Sequence, residues 1–217
     1  FEAFYRQRRD QGELPLTRRD YPHLRQALME IAEVEFQQVE ESGLTGRPFF
    51  WELEKENLRH DLTGFLHSEL EEHGGSPIHF EKRFGWDRPF SLKLGDGSEI
   101  PLLGFIDRID KTADGRYTVI DYKTGGRWFK RDNSFHKGQS LQLPIYLLGA
   151  ADLLDVPTSS IDAEYYFSSR KGEYRRTRFT SDNWEEKEAS LLQILEIIAT
   201  SIRTGRFLPT PKPRCRS

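Results

Sequence analysis

The run Gly104-Phe-Ile-Asp107-Arg-Ile-Asp-Lys-Thr-Ala-Asp114-Gly-Arg-Tyr-Thr-Val-Ile-Asp121-Tyr-Lys123 decides how this 217-residue chain is read. Two stretches rich in β-branched and aromatic residues, 102–109 and 117–123, flank the turn residues Ala113-Asp114-Gly115, which is the pattern of a β-hairpin. A turn centred on Asp114 sets Asp107 opposite Asp121, and a bulge would make them diagonal neighbours. Lys123 lies two residues beyond Asp121 and projects from the same face. The remaining hairpin residues are largely apolar, with Phe105, Ile109, Tyr117 and Val119 on one face and Ile106, Thr118, Ile120 and Tyr122 on the other. Strands apolar on both faces are central strands. Two carboxylates at cross-strand distance, roughly 5 Å between Cβ atoms, repel each other, and burial makes their ionisation costlier. A divalent cation between them relieves both problems, and oxygen ligands favour Mg²⁺ or Mn²⁺. A buried Asp–Lys–Asp ion network, or exposure at a strand end, satisfies the same spacing.

Outward from the hairpin, the apolar period separates helices from strands. Residues 1–9 read as the end of a helix. Pro22 suits a first helical turn, and Leu24, Leu28, Ile31, Phe36 and Val39 follow at helical spacing to about residue 41. Gly43 and Gly46 break the pattern. A second long helix runs over about 50–73, with Trp51, Leu58, Leu62, Phe65 and Leu66 as its apolar face. From Pro77 the period drops to about two, giving strands over 78–84 and 90–94 before the hairpin. After it come a helix over 140–154 with Pro144 at or near a kink, strands over 161–167 and 174–179, and a last helix opened by a capping box at Asp182–Glu185. The expected fold is α/β, a central mixed sheet flanked by helices. Residues 1–75 form a helical region packed on the core, 76–208 the core, and 209–217 a Pro-rich tail.

Composition narrows the function. Aromatic residues make up 12% of the chain, which argues against disorder. No apolar run approaches the roughly 18 residues of a membrane helix. The single cysteine excludes a disulfide framework and points to a reducing compartment. The net charge of −3 hides an asymmetry. Residues 1–110 carry 22 acids and 14 bases, whereas 111–217 carry 13 acids and 18 bases. Bases cluster at 123–139, where Arg127, Lys130, Arg131 and Lys137 are interleaved with aromatics, and again at 168–178. Such clusters form either a phosphate-binding face or an ordinary solvated surface.

Taken in order, Glu81 in HFEKRFG, Asp107 in GFIDRID, Asp121-x-Lys123 in VIDYKTG, and Gln142-x-x-x-Tyr146 resemble the RecB-like branch of the PD-(D/E)xK nucleases. The nearest likeness is to the AddB-type nuclease domain of bacterial helicase–nucleases, and it extends over about residues 51–146. The resemblance implies a restriction-endonuclease-like core and a Mg²⁺- or Mn²⁺-dependent deoxyribonuclease, exonucleolytic rather than endonucleolytic. It also implies cytoplasmic action on single-stranded DNA, with a helicase domain or partner subunit, in double-strand-break repair and recombination. A non-catalytic DNA-binding or scaffold module of the same fold is the alternative.

On the same resemblance, Asp107, Asp121 and the Tyr122 carbonyl hold the metal with help from Glu81. Lys123 orients the attacking water, and Gln142 and Tyr146 lie beside the active site. Arg127, Lys130, Arg131 and Lys137 contact DNA. The family's histidine ligand is expected just before Phe1, with His67 as the substitute inside the chain. Relatives bind an iron–sulfur cluster through four cysteines. Cys215 alone gives an incomplete set, so a cluster is expected in a longer parent and not here, and the chain alone is expected to cleave weakly or not at all.

Overall fold

The computed structural model describes residues 1–71, 75–126, 135 and 140–206. Helices α1 (Glu2–Asp10), α2 (Tyr21–Glu41) and α3 (Pro48–Glu71) precede strands β1 (Ser76–Phe84), β2 (Phe90–Lys93), β3 (Glu99–Leu102), β4 (Gly104–Lys111) and β5 (Tyr117–Lys123). Helix α4 (Gln142–Leu154), strands β6 (Ile161–Phe167) and β7 (Arg176–Phe179), and helix α5 (Ser181–Thr204) follow. The main sheet has the order β1-β4-β5-β6-β7, and β2 and β3 make a separate ribbon. Strands β5 and β6 are parallel, while the other neighbours in the sheet are antiparallel. A parallel pair needs a long crossover, and α4 provides it. The architecture is α/β, a mixed sheet between helical layers, as the sequence led us to expect.

The hairpin closes in the expected register, from Lys111↔Tyr117 through Arg108↔Ile120. Beyond that rung the two strands follow different partners. Strand β4 stays with β1 as far as Phe84↔Gly104, and β5 stays with β6 as far as Lys123↔Phe167. The sheet therefore parts between β4 and β5 just where Asp107 and Asp121 stand.

Some local expectations change. The single strand expected over 102–109 is two, because Glu99–Leu102 pairs with β2 before β4 begins. The last helix is capped by Thr180, not Asp182: the Thr180 hydroxyl accepts the Asn183 N–H, and the Asn183 side chain accepts the Thr180 N–H. Pro144 lies in the first turn of α4 and causes no kink, since amides there have no intrahelical partner to lose. Strand β7 starts at Arg176, later than expected, because Glu173 and Tyr174 both adopt positive φ. Ile106 packs with Phe84, Ile109 and Leu147, not with Ile120. In mid-strand of β1, Glu81 adopts φ 47°, a left-handed conformation costing a non-glycine residue about 1–2 kcal/mol. Phe80 and Phe84, which flank it, serve opposite cores.

Two apolar cores sandwich the sheet. One joins Ile109, Val119, Ala163 and Tyr165 to α4, α5 and the β2–β3 ribbon. The other joins Phe80, Ile120 and Tyr166 to Phe4, Tyr5, Leu24, Leu28, Phe65 and Leu66 of the first three helices. Within the second core lies a buried ion network. Arg108 grips Asp110 with two bonds of 2.6 and 2.5 Å and reaches Glu69 at 2.6 Å. Arg176 spans Glu69 and Glu164, and Tyr5 donates to Glu69. Burial alone would raise the Glu69 carboxyl, but Arg108 and Arg176 overcome it and hold the group below its ordinary value. Glu69 of α3 thus ties the helical layer to β4 and β7.

Candidate active site

The cleft between β4 and β5 collects the residues expected to carry chemistry. Asp107 Oδ2 accepts the Tyr122 backbone N–H at 2.8 Å, so a side-chain bond replaces the ladder where the strands part. Asp121 is 4% exposed. Its Oδ1 accepts a 2.7 Å bond from Gln142 Nε2, the first residue of α4. Lys123 Nζ stands 2.5 Å from Asp121 Oδ2 as an ion pair and donates to Gln142 Oε1 at 2.9 Å. It also lies 4.9 Å from the centroid of the Tyr165 ring. Gln142 Nε2 donates to the Tyr146 hydroxyl at 2.9 Å. One amide therefore fixes the acid, the lysine and the tyrosine, and its polar atoms are engaged inside the cleft.

Tyr146 packs edge-on against Phe84 with ring centroids 6.1 Å apart. Gly104 makes room for both rings, since a Cβ there would stand 2.7 Å from Phe84 and 3.6 Å from Tyr146.

The electrostatics of the cleft are unbalanced toward negative charge. Burial raises the Asp121 carboxyl against the pull of Lys123, and Asp107 adds repulsion. Burial, then Asp107, raises Glu81. The Tyr146 phenol is raised by burial, and Asp121, Asp107 and Glu81 add to the effect. Glu81 is exposed and near enough to Asp107 to feel its charge. Among the described residues, however, no three His, Cys, Asp or Glu side chains close into a group able to hold a metal ion. Asp121 Oδ2 is buried, with the Lys123 ammonium 2.5 Å away. A buried carboxylate that burial and the nearby Asp107 charge both disfavour suits a hard divalent cation held by two acids and neutral oxygen donors.

Other expected residues fall elsewhere. His67 bonds the Tyr21 hydroxyl at 2.9 Å and stacks on its ring, away from the acids of the cleft. Phe1 stacks on Phe65 and packs against Tyr122. Arg127, Lys130, Arg131, Lys137 and Cys215 lie outside the described residues. The basic stretch 168–178 is a correction to the charge reading. Arg170 bonds Asp61 and Asn57 of α3, Arg175 pairs with Glu173, Arg176 with Glu69 and Glu164, and Arg178 with Glu164. Arg176 is buried, whereas Arg170, Arg175 and Arg178 pair with acids while remaining about half exposed.

Sequence reasoning misses the network of Glu69, Arg108, Asp110, Glu164 and Arg176 as a unit. Its one sequence signal is the alternation of Arg108 and Asp110 within a strand otherwise apolar on both faces.

Comparison with known proteins shows the family. An ATP-dependent helicase/deoxyribonuclease subunit from Acetivibrio thermocellus is 42% identical over 77 residues, which is 33% of this chain and 7% of that protein. The same-named protein of Clostridium novyi is 37% identical over 84 residues, covering 36% of this chain and 7% of its own length. That of a Thermoanaerobacter species is 35% identical over 91 residues, covering 39% and 8%. The similarity thus spans under a tenth of these relatives. The family profile reaches further, since the PD-(D/E)XK nuclease superfamily matches residues 1–217. An acid pair and a lysine at a parting of two central strands, and a match running the length of the chain, place this protein in the PD-(D/E)XK nuclease superfamily.

Proposed function

We propose that this chain is a Mg²⁺- or Mn²⁺-dependent deoxyribonuclease domain. It hydrolyses phosphodiester bonds in single-stranded DNA, exonucleolytically, within a cytoplasmic helicase–nuclease that processes DNA breaks. The observation that carries this reading is the pairing of Asp121 with Lys123, both bonded to Gln142, beside Asp107, whose carboxylate accepts the Tyr122 backbone N–H. The named relatives are helicase/deoxyribonuclease subunits, which supports DNA as substrate and a helicase as partner. No helix among the described residues is long and apolar enough to cross a membrane.

Asp107 and Asp121, with the Tyr122 carbonyl, would hold the cation, and Glu81 would steady its outer side. When bound, such a cation polarises a phosphate oxygen and lowers the pKa of water. The chain's own groups do the rest. Lys123 places its ammonium beside Asp121, where it orients the incoming water and offsets negative charge that develops on the phosphate. Water adds to phosphorus, one P–O ester bond breaks, and the departing oxygen takes up a proton. Gln142 keeps Asp121 and Lys123 in register, and Tyr146 closes the wall behind it. Arg127, Lys130, Arg131 and Lys137, which follow Lys123 in the chain, would contact the DNA backbone. Affinity should then fall steeply with salt.

Incubation with Mn²⁺ and end-labelled single-stranded DNA tests the proposal. Cleavage that disappears on Asp121→Ala, with DNA binding retained, supports it. DNA binding without any metal-dependent cleavage, or cleavage indifferent to Asp121→Ala, overturns it and leaves a non-catalytic DNA-binding module.

A further inference from the structure

Beside the acid cleft lies an exposed aromatic surface that the nuclease chemistry does not use. Trp86 is 50% exposed and Phe105 41% exposed. Their ring centroids are 6.0 Å apart. The Arg83 guanidinium lies over both, 5.2 Å from the Phe105 centroid and 5.9 Å from that of Trp86. The position follows from strand register. Arg83 pairs with Phe105 across β1 and β4, two residues beyond Glu81 on one strand and two before Asp107 on the other. Two strand residues span roughly 7 Å, so along their strands the Arg83 and Phe105 backbones lie about that far from those of Glu81 and Asp107. Gly85, just before Trp86, turns the chain close to the end of β3: with φ 78°, it approaches so closely that a Cβ would stand 2.1 Å from the Leu102 carbonyl oxygen.

Each of these aromatic side chains carries a large apolar area, and leaving them half in water forgoes burial that the adjacent core offers. Two neighbouring exposed rings under a guanidinium fit a flat π-system with an anionic backbone, which is the chemistry of an unpaired nucleotide. We propose that Arg83, Trp86 and Phe105 form a stacking site for an unpaired base next to the phosphate bound at Asp107 and Asp121. The site selects single strands, because a base inside a duplex has both faces covered. This inference deepens the nuclease reading and rests on it for the position of the phosphate.

The test measures binding in EDTA, where cleavage is absent. Fluorescence anisotropy with a labelled oligothymidylate and with a duplex of equal length compares wild type, Trp86→Ala, Phe105→Leu and Trp86→Phe. Stacking on one ring is worth about 1–3 kcal/mol, so Trp86→Ala should weaken single-strand binding about 5- to 150-fold. Phe105→Leu should also weaken it, Trp86→Phe should restore most of it, and duplex affinity should hold within about twofold. An unchanged unfolding midpoint certifies that each variant is folded. Unchanged single-strand affinity in Trp86→Ala overturns the inference, as does an equal loss for duplex. If affinity is unchanged while Asp121→Ala still abolishes Mn²⁺-dependent cleavage, the stacking site falls and the nuclease reading stands. If affinity drops as expected but no metal-dependent cleavage is found, the catalytic reading falls and the stacking site stands.

Discussion

Replacing Glu69 by Gln should cost this protein a large share of its stability with almost no change in shape. The Glu69 carboxylate is buried and accepts from Tyr5, Arg108 and Arg176. A glutamine keeps one acceptor oxygen but turns its amide N–H₂ toward a guanidinium, which has no lone pair to accept it. Arg108 retains Asp110 and Arg176 retains Glu164, so neither guanidinium is wholly abandoned. Even so, both buried guanidiniums lose a charge-assisted bond in a low-dielectric core. Breaking one member out of a buried pair typically costs about 3–5 kcal/mol. For a chain of this length that corresponds to a fall of about 6–20 °C in Tm. Urea unfolding followed by tryptophan fluorescence and far-UV circular dichroism measures it directly, with an unchanged m-value securing the comparison. A loss below about 1 kcal/mol would refute the claim that Glu69 fastens the helical layer to the sheet.

Gln142→Leu should lower single-turnover cleavage of single-stranded DNA about 10- to 100-fold, because the acid and the lysine lose their shared restraint. DNA affinity and the unfolding midpoint should barely move, and an equal loss of stability would make the residue merely structural. The folded pKa of Glu69 lies below its ordinary 4.5, so its contribution to stability is present above about pH 4.5 and drains away as pH falls through the folded value. Tm scanned downward from pH 5 should therefore drop more steeply in wild type than in Glu69→Gln, and parallel slopes would contradict this. Gly64→Ala in α3 should destabilise, although helix propensity alone favours alanine by about 1 kcal/mol. A Cβ there would meet the Tyr174 ring at 2.1–2.6 Å, and overpacking of this kind costs about 1–3 kcal/mol. A rise in Tm on this substitution would show that Tyr174 can swing away freely.

The hairpin was legible from residues alone because its information is local. The turn at Ala113–Gly115 sets the register, the period of two sets the faces, and both hold along the closed rungs. The order of Asp107, Asp121, Lys123, Gln142 and Tyr146 was legible for the same reason, since each belongs to a short motif on a recognisable element. Sequence could not show that β4 and β5 separate beyond Arg108↔Ile120. That parting depends on each strand following a different neighbour, β1 or β6, and those neighbours come from distant parts of the chain. Nor could it show that Gln142 bonds to both Asp121 and Lys123, because that contact needs the crossover helix seated against the sheet.

The charge count marks the boundary most sharply. Sequence established that the second half of the chain is basic, and with it the prospect of a phosphate-binding face. Tertiary structure decided which of those bases are available. Arg170, Arg175, Arg176 and Arg178 are each matched to an acid, most of them to one remote in sequence. Charge is additive along a chain, but its effect depends on distance through space. The sequence alone thus determined most of the elements, the hairpin and the order of the candidate site residues. The folded arrangement decided which of those residues meet, which charges cancel, and where two aromatic rings stay exposed beside the acids.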